Sequence, residues 1–235
     1  RVKRLALTEA PGVPRVLDLE WIDSMETSQG TVYGKDFVLA AGTWTGELLY
    51  SLGIDPRALP KKRQLFMLSG EEAGPFRNGG PGGVERPVLI LPTAGIYVKP
   101  LHGPGSYLVG CADDLGRPFV PEDRPLAEDD YYRDQIRPVL SKYVPWFGNK
   151  EPTFSGAGQY SINTGDGNPN VFKVRNLTIM TGATGSGVMK SDSLGRVAAA
   201  VCMGKDEAVL FDQTRLDVAQ FGIRNRCLTP EDLVI

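Results

Sequence analysis

With 235 residues, 41% of them hydrophobic, the chain can bury a core sufficient for one large domain or two smaller ones. Its 26 basic and 28 acidic side chains leave a net charge of −2, which argues against a nucleic-acid or anionic-membrane partner. Cys111, Cys202 and Cys227 are widely scattered and form no CxxC pair, and a single histidine, His102, cannot assemble a His-based metal site, so no metal is expected. A reduced, cytoplasmic setting is expected. No apolar stretch approaches the roughly 20 residues that cross a bilayer.

The chain opens Arg1-Val2-Lys3-Arg4, with neither Met nor a signal pattern, and is expected to be a processed or truncated product. Residues 14–39 read as a small β-meander. Val16, Leu17 and Leu19 alternate imperfectly, Ser28-Gln29-Gly30 supplies a turn, and Thr31-Val32-Tyr33 resumes a strand. The run Phe37 to Ala41 fits a strand buried on both faces, as in a parallel sheet. Gly42 ends it, and Thr43 or Thr45 can cap a helix through Leu52.

Leu59 to Leu68 reads as an exposed basic cluster, Lys61-Lys62-Arg63, followed by a strand. Gly70 to Pro87, rich in Gly, Pro and Glu, reads as a surface loop, and His102, in a Gly/Pro turn further on, reads as exposed and structural rather than catalytic. Val88–Leu91, Gly95–Pro100 and Ser106–Gly110 are three short strands. The acidic stretch Asp113 to Asp130 is a solvated loop and helix start. Glu128 to Phe147 is then the clearest helix, with Pro138 implying a kink and Pro145 a stop.

Leu177 to Met180 is a short apolar run, and Gly182, Gly185 and Gly187 then free the backbone to turn sharply or to let a ligand approach. From Met189 the spacing becomes helical, with Leu194, Val197, Ala198 and Val201 on one face. The turn is either an ordinary strand-to-helix connection or a helix N-terminus that meets an anion or a polar carbonyl edge. A last helix is expected over Arg215 to Phe221.

Val38-Leu39-Ala40-Ala41-Gly42-Thr43-Trp44-Thr45 resembles the V-x-A-A-G-x-W-[ST] signature of the FAD-dependent amine and D-amino-acid oxidoreductase superfamily. Gly182 to Lys190 resembles the same family's G-x-S-G-x-G-x-K signature, and the two occur in the family's order. Gly95-Ile96-Tyr97 and the stretch Gly158 to Pro169 resemble two further family segments. The resemblance covers about residues 14–204, the family's C-terminal portion only. The G-x-G-x-x-G unit that grips the ADP moiety is absent from this sequence.

That resemblance implies an α/β (α+β) fold, the C-terminal part of a two-domain flavoprotein whose antiparallel substrate sheet is inserted between FAD-domain segments. The implied division is an FAD-domain segment 1–58, a substrate domain 59–150, a closing FAD segment 151–204 and a tail 205–235. It implies non-covalent FAD held by Ala41, Gly42, Thr43, Trp44, Gly182, Thr184, Gly185, Ser186, Gly187, Val188, Met189 and Lys190. Lys190, Tyr97 and Tyr160 are the implied catalytic-site residues, Lys190 holding a substrate carboxylate and the tyrosines forming a substrate wall. The implied reaction is hydride transfer from the carbon beside the nitrogen of an amino acid or N-methyl amine to FAD.

Sarcosine oxidases in the family carry a lysine where this chain reads Ser106-Tyr107-Leu108, and its absence favours a dehydrogenase over an oxidase. The implied partners are an ADP-binding N-terminal polypeptide or half, a small amine substrate and further copies in an oligomer. Nucleic acid and a membrane span are not expected. The alternative is a non-catalytic flavoprotein-like assembly or scaffold factor, since some family members resemble this chain about as well as the oxidases do.

Overall fold

The computed structural model describes residues 2–7, 21–70, 88–92, 95–101, 105–111, 117–224 and 226–231. The expected strand around Val16 to Leu19, the loop from 71 to 87 and His102 lie outside them. Two compact units emerge: Arg1–Pro60 with Tyr160–Leu233, and Lys61–Gln159 with Val234–Ile235. The chain leaves the first unit and re-enters it within strands.

The first unit begins with β1 (Val2–Leu7), β2 (Ile22–Thr27) and β3 (Gly30–Tyr33), an antiparallel sheet in the order β1-β2-β3. Thr27 Oγ1 donates to the Gly30 carbonyl across the tight turn. Next come β4 (Phe37–Leu39), a 3₁₀ turn (Gly42–Trp44) and α1 (Thr45–Tyr50). The expected cap is corrected here: neither Thr43 nor Thr45 caps α1, whose N-cap is Trp44, and Thr45 is buried inside the first turn. The 3₁₀ turn already accepts the entering chain, with the Trp44 amide donating to the Ala41 carbonyl, so a side-chain cap has no place to act.

Strand β5 (Ala58–Ser69) leads into the second unit, followed by β6 (Leu89–Ile90), β7 (Ile96–Pro100) and β8 (Ser106–Cys111). With β9 (Phe154–Asn163) they form a sheet in the order β6-β7-β8-β5-β9. Alternation puts Phe66, Leu68, Ile96, Val98, Tyr107 and Val109 on one face. That face packs on Tyr132, Ile136, Leu140 and Phe147 from a helical segment.

The segment is α2 (Asp129–Tyr131), a π-helical turn (Tyr132–Ile136) and α3 (Arg137–Tyr143), with a 3₁₀ turn (Pro145–Phe147) behind it. The π turn sits directly ahead of Pro138. Proline has no N–H and its ring crowds the carbonyl four residues back, so the helix widens there rather than breaking. The expected exposed basic cluster is also corrected. Lys61 is only 1% exposed within β5, its ammonium donating to the Arg117 carbonyl and lying 4.3 Å from the centre of the Phe119 ring. A partnered ammonium on an aliphatic stem is tolerated there.

Back in the first unit, β10 (Asn170–Val174) pairs antiparallel with β11 (Leu177–Thr181), and β11 pairs parallel with β4. Phe37, Leu39, Leu177 and Ile179 meet Leu5, Ile22 and Leu49 in one core. Helix α4 (Ser191–Cys202) packs Leu194, Val197, Ala198 and Ala200 on Val171 and Ala208. Strands β12 (Glu207–Val209) and β13 (Arg215–Asp217) form a hairpin. The expected helix over Arg215 to Phe221 is therefore half strand. Pairing with β12 takes its first three residues, and Asp217 Oδ1 accepts the Ala219 amide to start a 3₁₀ turn (Val218–Phe221).

One burial expectation fails informatively. Phe37 and Leu39 of β4 point into the core, but Val38 is 54% exposed and Ala40 is exposed. β4 stands at the edge of the three-stranded sheet β10-β11-β4, where Val38 is far more open than its fully buried register neighbour Thr178 on β11.

Candidate active site

Parallel pairing of β4 and β11 brings the two glycine-containing segments to one place. The register Leu177↔Phe37, Thr178↔Val38, Ile179↔Leu39 sets the C-terminal ends of both strands side by side. There Thr181 Oγ1 lies 3.3 Å from the Gly42 carbonyl oxygen and 2.9 Å from Ser161 Oγ. Ser161 Oγ in turn accepts the Gly182 amide at 3.2 Å. Ligand sites in open α/β sheets lie beyond the carboxyl ends of the strands, which is where these loops stand.

Each loop has a backbone reason for its residues. Gly42 has φ +57°, and a Cβ built there would meet nothing within 4 Å among the described residues. Gly182 (φ +71°) and Gly185 (φ +86°) occupy the left-handed region, which only glycine enters without strain. Thr184 also has a positive φ, 48°, and is held there by its own side chain. Its hydroxyl donates to the Gly182 carbonyl at 3.0 Å and accepts the Asn163 amide at 3.1 Å, while its amide donates to the Ser161 carbonyl. A Cβ on Gly187 would lie 2.8 Å from the Ala183 Cβ, so the turn closes only without a side chain there.

The turn delivers the chain to the N-terminus of α4. Lys190 is its N-cap and gives no side-chain cap. The amides of Gly187, Val188 and Met189 have no hydrogen-bond partner among the described residues. Val188 and Met189 are 89% and 70% exposed, apolar side chains standing beside free amides. Ala41, Thr43 and Trp44 line the opposite strand end and are half-buried. The arrangement offers backbone N–H donors and helix-dipole charge to a planar group with polar carbonyl edges, flanked by apolar surface.

Lys190 itself is not free. Its ammonium is ion-paired with Glu231 Oε2, and Ser186 Oγ donates to Glu231 Oε1 at 3.4 Å. The Glu231 amide donates to the Asp166 carbonyl at 2.7 Å. Asp166 pairs with Arg226 through both carboxylate oxygens. Burial pushes the Asp166 carboxyl up, but Arg226 and the Asn168 amide outweigh it and hold it below its ordinary value. Glu231, Arg226 and Asp166 carried no local signal for this role; the pairs lie 41 and 60 residues apart in sequence.

Tyr160 is half-buried in β9 within the first unit. Tyr97 belongs to the second unit, on β7 opposite Gly110 of β8, where the absent side chain of Gly110 leaves room for the tyrosine ring. Tyr107, at the position discussed for sarcosine oxidases, faces the core and packs edge-on against Trp146 and Phe147.

The family profile described as FAD dependent oxidoreductase matches residues 2–201. The chain belongs to this family. It is 30% identical over 173 residues to FAD-dependent oxidoreductase domain-containing protein 1 of Mus musculus, covering 70% of this chain and 34% of that protein. The Xenopus laevis protein of the same name is 28% identical over 178 residues, covering 68% of this chain and 33% of its own length. The chain thus spans about a third of the curated relatives it matches.

Among solved structures, L-proline dehydrogenase from P. horikoshii superposes with a TM-score of 0.67 at 19% identity, over 94% of this chain and 52% of that one. Glycine oxidase from Geobacillus kaustophilus gives 0.64 at 19% identity, over 87% and 49%. These likenesses establish the fold: a mixed α/β architecture of which this chain spans about half. No described helix is long and apolar enough to cross a membrane.

Proposed function

We propose that this chain is the flavin-ring and substrate-binding part of an enzyme that oxidises the C–N bond of an amino acid or N-methyl amine, with FAD held non-covalently. The observation that carries this reading is the meeting of the Gly42 and Gly182–Lys190 segments at the ends of parallel neighbours β4 and β11. The residues present fit a flavin. Gly42 opens the approach, the amides of Gly187, Val188 and Met189 would face the carbonyl edge of the ring, and Val188 and Met189 would be covered by it. When bound, flavin supplies the hydride acceptor.

The chain's own groups orient and stabilise. Free amides at the start of α4, with the helix dipole behind them, stabilise negative charge that develops at that edge. Thr181 and Ser161 fix the two loops relative to each other, which keeps those donors in place without reorganisation. Tyr160 in the first unit and Tyr97 in the second are each assigned a substrate-contacting role on the family resemblance alone. Strand β8 carries no lysine, which supports dehydrogenase rather than oxidase chemistry.

The ADP-gripping part belongs to an N-terminal half or separate polypeptide. The exposed edge and face of β4, with Val38 open, support docking of further parallel strands there. The deciding experiment joins the chain to such an N-terminal half and records visible flavin absorbance, then adds, without oxygen, N-methyl amines that lack a carboxylate and, separately, N-methyl and D-amino acids, bleaching by either class counting as oxidation. Uptake of flavin followed by bleaching is expected. No flavin spectrum in the joined protein refutes the proposal, and a flavin that no amine bleaches favours the non-catalytic scaffold reading.

A further inference from the structure

The C-terminal segment from Arg226 to Glu231 is fastened along its length to the 163–169 turn. Arg226 grips Asp166 and the carbonyls of Asn168 and Pro169. Asn168 Nδ2 donates to the Thr229 carbonyl at 2.8 Å, and the Glu231 amide donates to the Asp166 carbonyl. Gly167, at φ +73°, lets the segment come close, since a Cβ there would lie 2.6 Å from the Glu231 carbonyl oxygen. The Glu231 carboxylate is therefore positioned by backbone anchors, not by a free-swinging side chain. It ends on Lys190 Nζ and Ser186 Oγ, with side-chain exposures of 18% for Glu231 and 33% for Lys190.

We propose that Glu231 is a specificity-determining residue: it holds the place beside Lys190 that a substrate carboxylate would take, so the site selects amines that bring no carboxylate to that ammonium. The inference rests on the reading that Lys190 faces the substrate. An ammonium already neutralised by a fixed carboxylate offers an incoming carboxylate no net attraction. A second carboxylate must also stand against the first in a partly desolvated place, and selection by such a built-in repulsion is as effective as selection by attraction.

The test compares acetate with its uncharged isostere acetamide by calorimetric titration of the flavin-loaded, joined protein at constant ionic strength. In the parent protein, acetate should bind no more tightly than acetamide. In Glu231→Gln, acetate affinity should rise by about tenfold or more with acetamide unchanged, and Lys190→Met/Glu231→Gln should abolish the gain. Glu231→Ala serves where the glutamine amide still engages Lys190. Hydrogen exchange over 226–231 should stay as in the parent, because the Arg226 and backbone anchors remain. A parent protein that prefers acetate through Lys190, or flavin-loaded variants with unchanged acetate affinity, overturns this inference alone. Joined protein that never takes up flavin overturns the parent reading and this one with it.

Discussion

Replacing Arg226 by Leu removes the guanidinium that ties the C-terminal segment to the 163–169 turn. The guanidinium donates to both oxygens of Asp166, to the carbonyls of Asn168 (2.8 Å) and Pro169 (3.0 Å), and to those of Phe221 (3.0 Å) and Gly222 (3.3 Å). Both members of the ion pair have side chains only 15% exposed. Removing one partner of a buried pair costs about 3–5 kcal/mol, because the remaining charge loses its compensation. Residual exposure, and the Asn163 and Asn168 donors that stay on Asp166, place the expected loss near the lower end, about 3 kcal/mol. For a chain of this size that corresponds to a fall in Tm of roughly 6–12 °C.

The pH dependence follows from the same contact. The folded carboxyl of Asp166 lies below its ordinary value, so the pair's contribution is complete above the unfolded carboxylate range and fades as pH falls through the folded value. The gap between parent and Arg226→Leu should narrow in acid. Urea unfolding monitored by tryptophan fluorescence measures the loss, hydrogen exchange over 226–231 locates it, and Asp166→Asn/Arg226→Leu should recover part of it. A loss below about 1 kcal/mol, together with unchanged exchange over that segment, would refute the reasoning.

In the second unit, Arg117 and then Lys62 hold the Glu128 carboxyl down at about 2. The stability this lends is present above the ordinary glutamate value and is lost as pH drops toward the folded one. The parent should therefore exceed Glu128→Gln in urea midpoint at neutral pH and match it near pH 2. Gly182→Ala forces a side chain into φ +71° and to 3.2 Å of the Asn163 Cβ, and should cost roughly 1–2 kcal/mol in urea unfolding. Phe147→Ala empties a fully buried position against Tyr107 and Trp146 and should cost about 3–5 kcal/mol, read from the thermal midpoint.

The elements read correctly were those whose signals are local. β11, the glycine turn and α4 follow from an apolar run, three glycines and helical spacing within 26 residues of sequence, Leu177 to Cys202. β7 and β8 follow from alternation between turn residues in the same way. Lys61 was misjudged because lysine is ordinarily exposed, and its burial depends on a carbonyl 56 residues away and on the Phe119 ring. β13 was misjudged because pairing with β12 overrode a weak helical preference. Glu231 and Arg226 sit in a stretch without periodicity, and their roles exist only through contacts with the 163–169 turn and Lys190.

Val38 argues differently from these misses. A strand reading Phe-Val-Leu-Ala-Ala carries apolar side chains on both faces, and such strands belong to parallel sheets covered on both sides. The structure covers one face only, leaving Val38 more than half exposed on a strand at the edge of its sheet. That pattern agrees with the docking proposed above, since an open apolar edge strand pairs readily with whatever strand is offered. Val188 and Met189 make the same point at the end of the same sheet, where apolar side chains flank amides without partners among the described residues. One surface asks for a strand and the other for a planar ligand with hydrogen-bond acceptors at its rim. On the function proposed above, an ADP-binding half that brought both its sheet and its flavin would meet the two demands together.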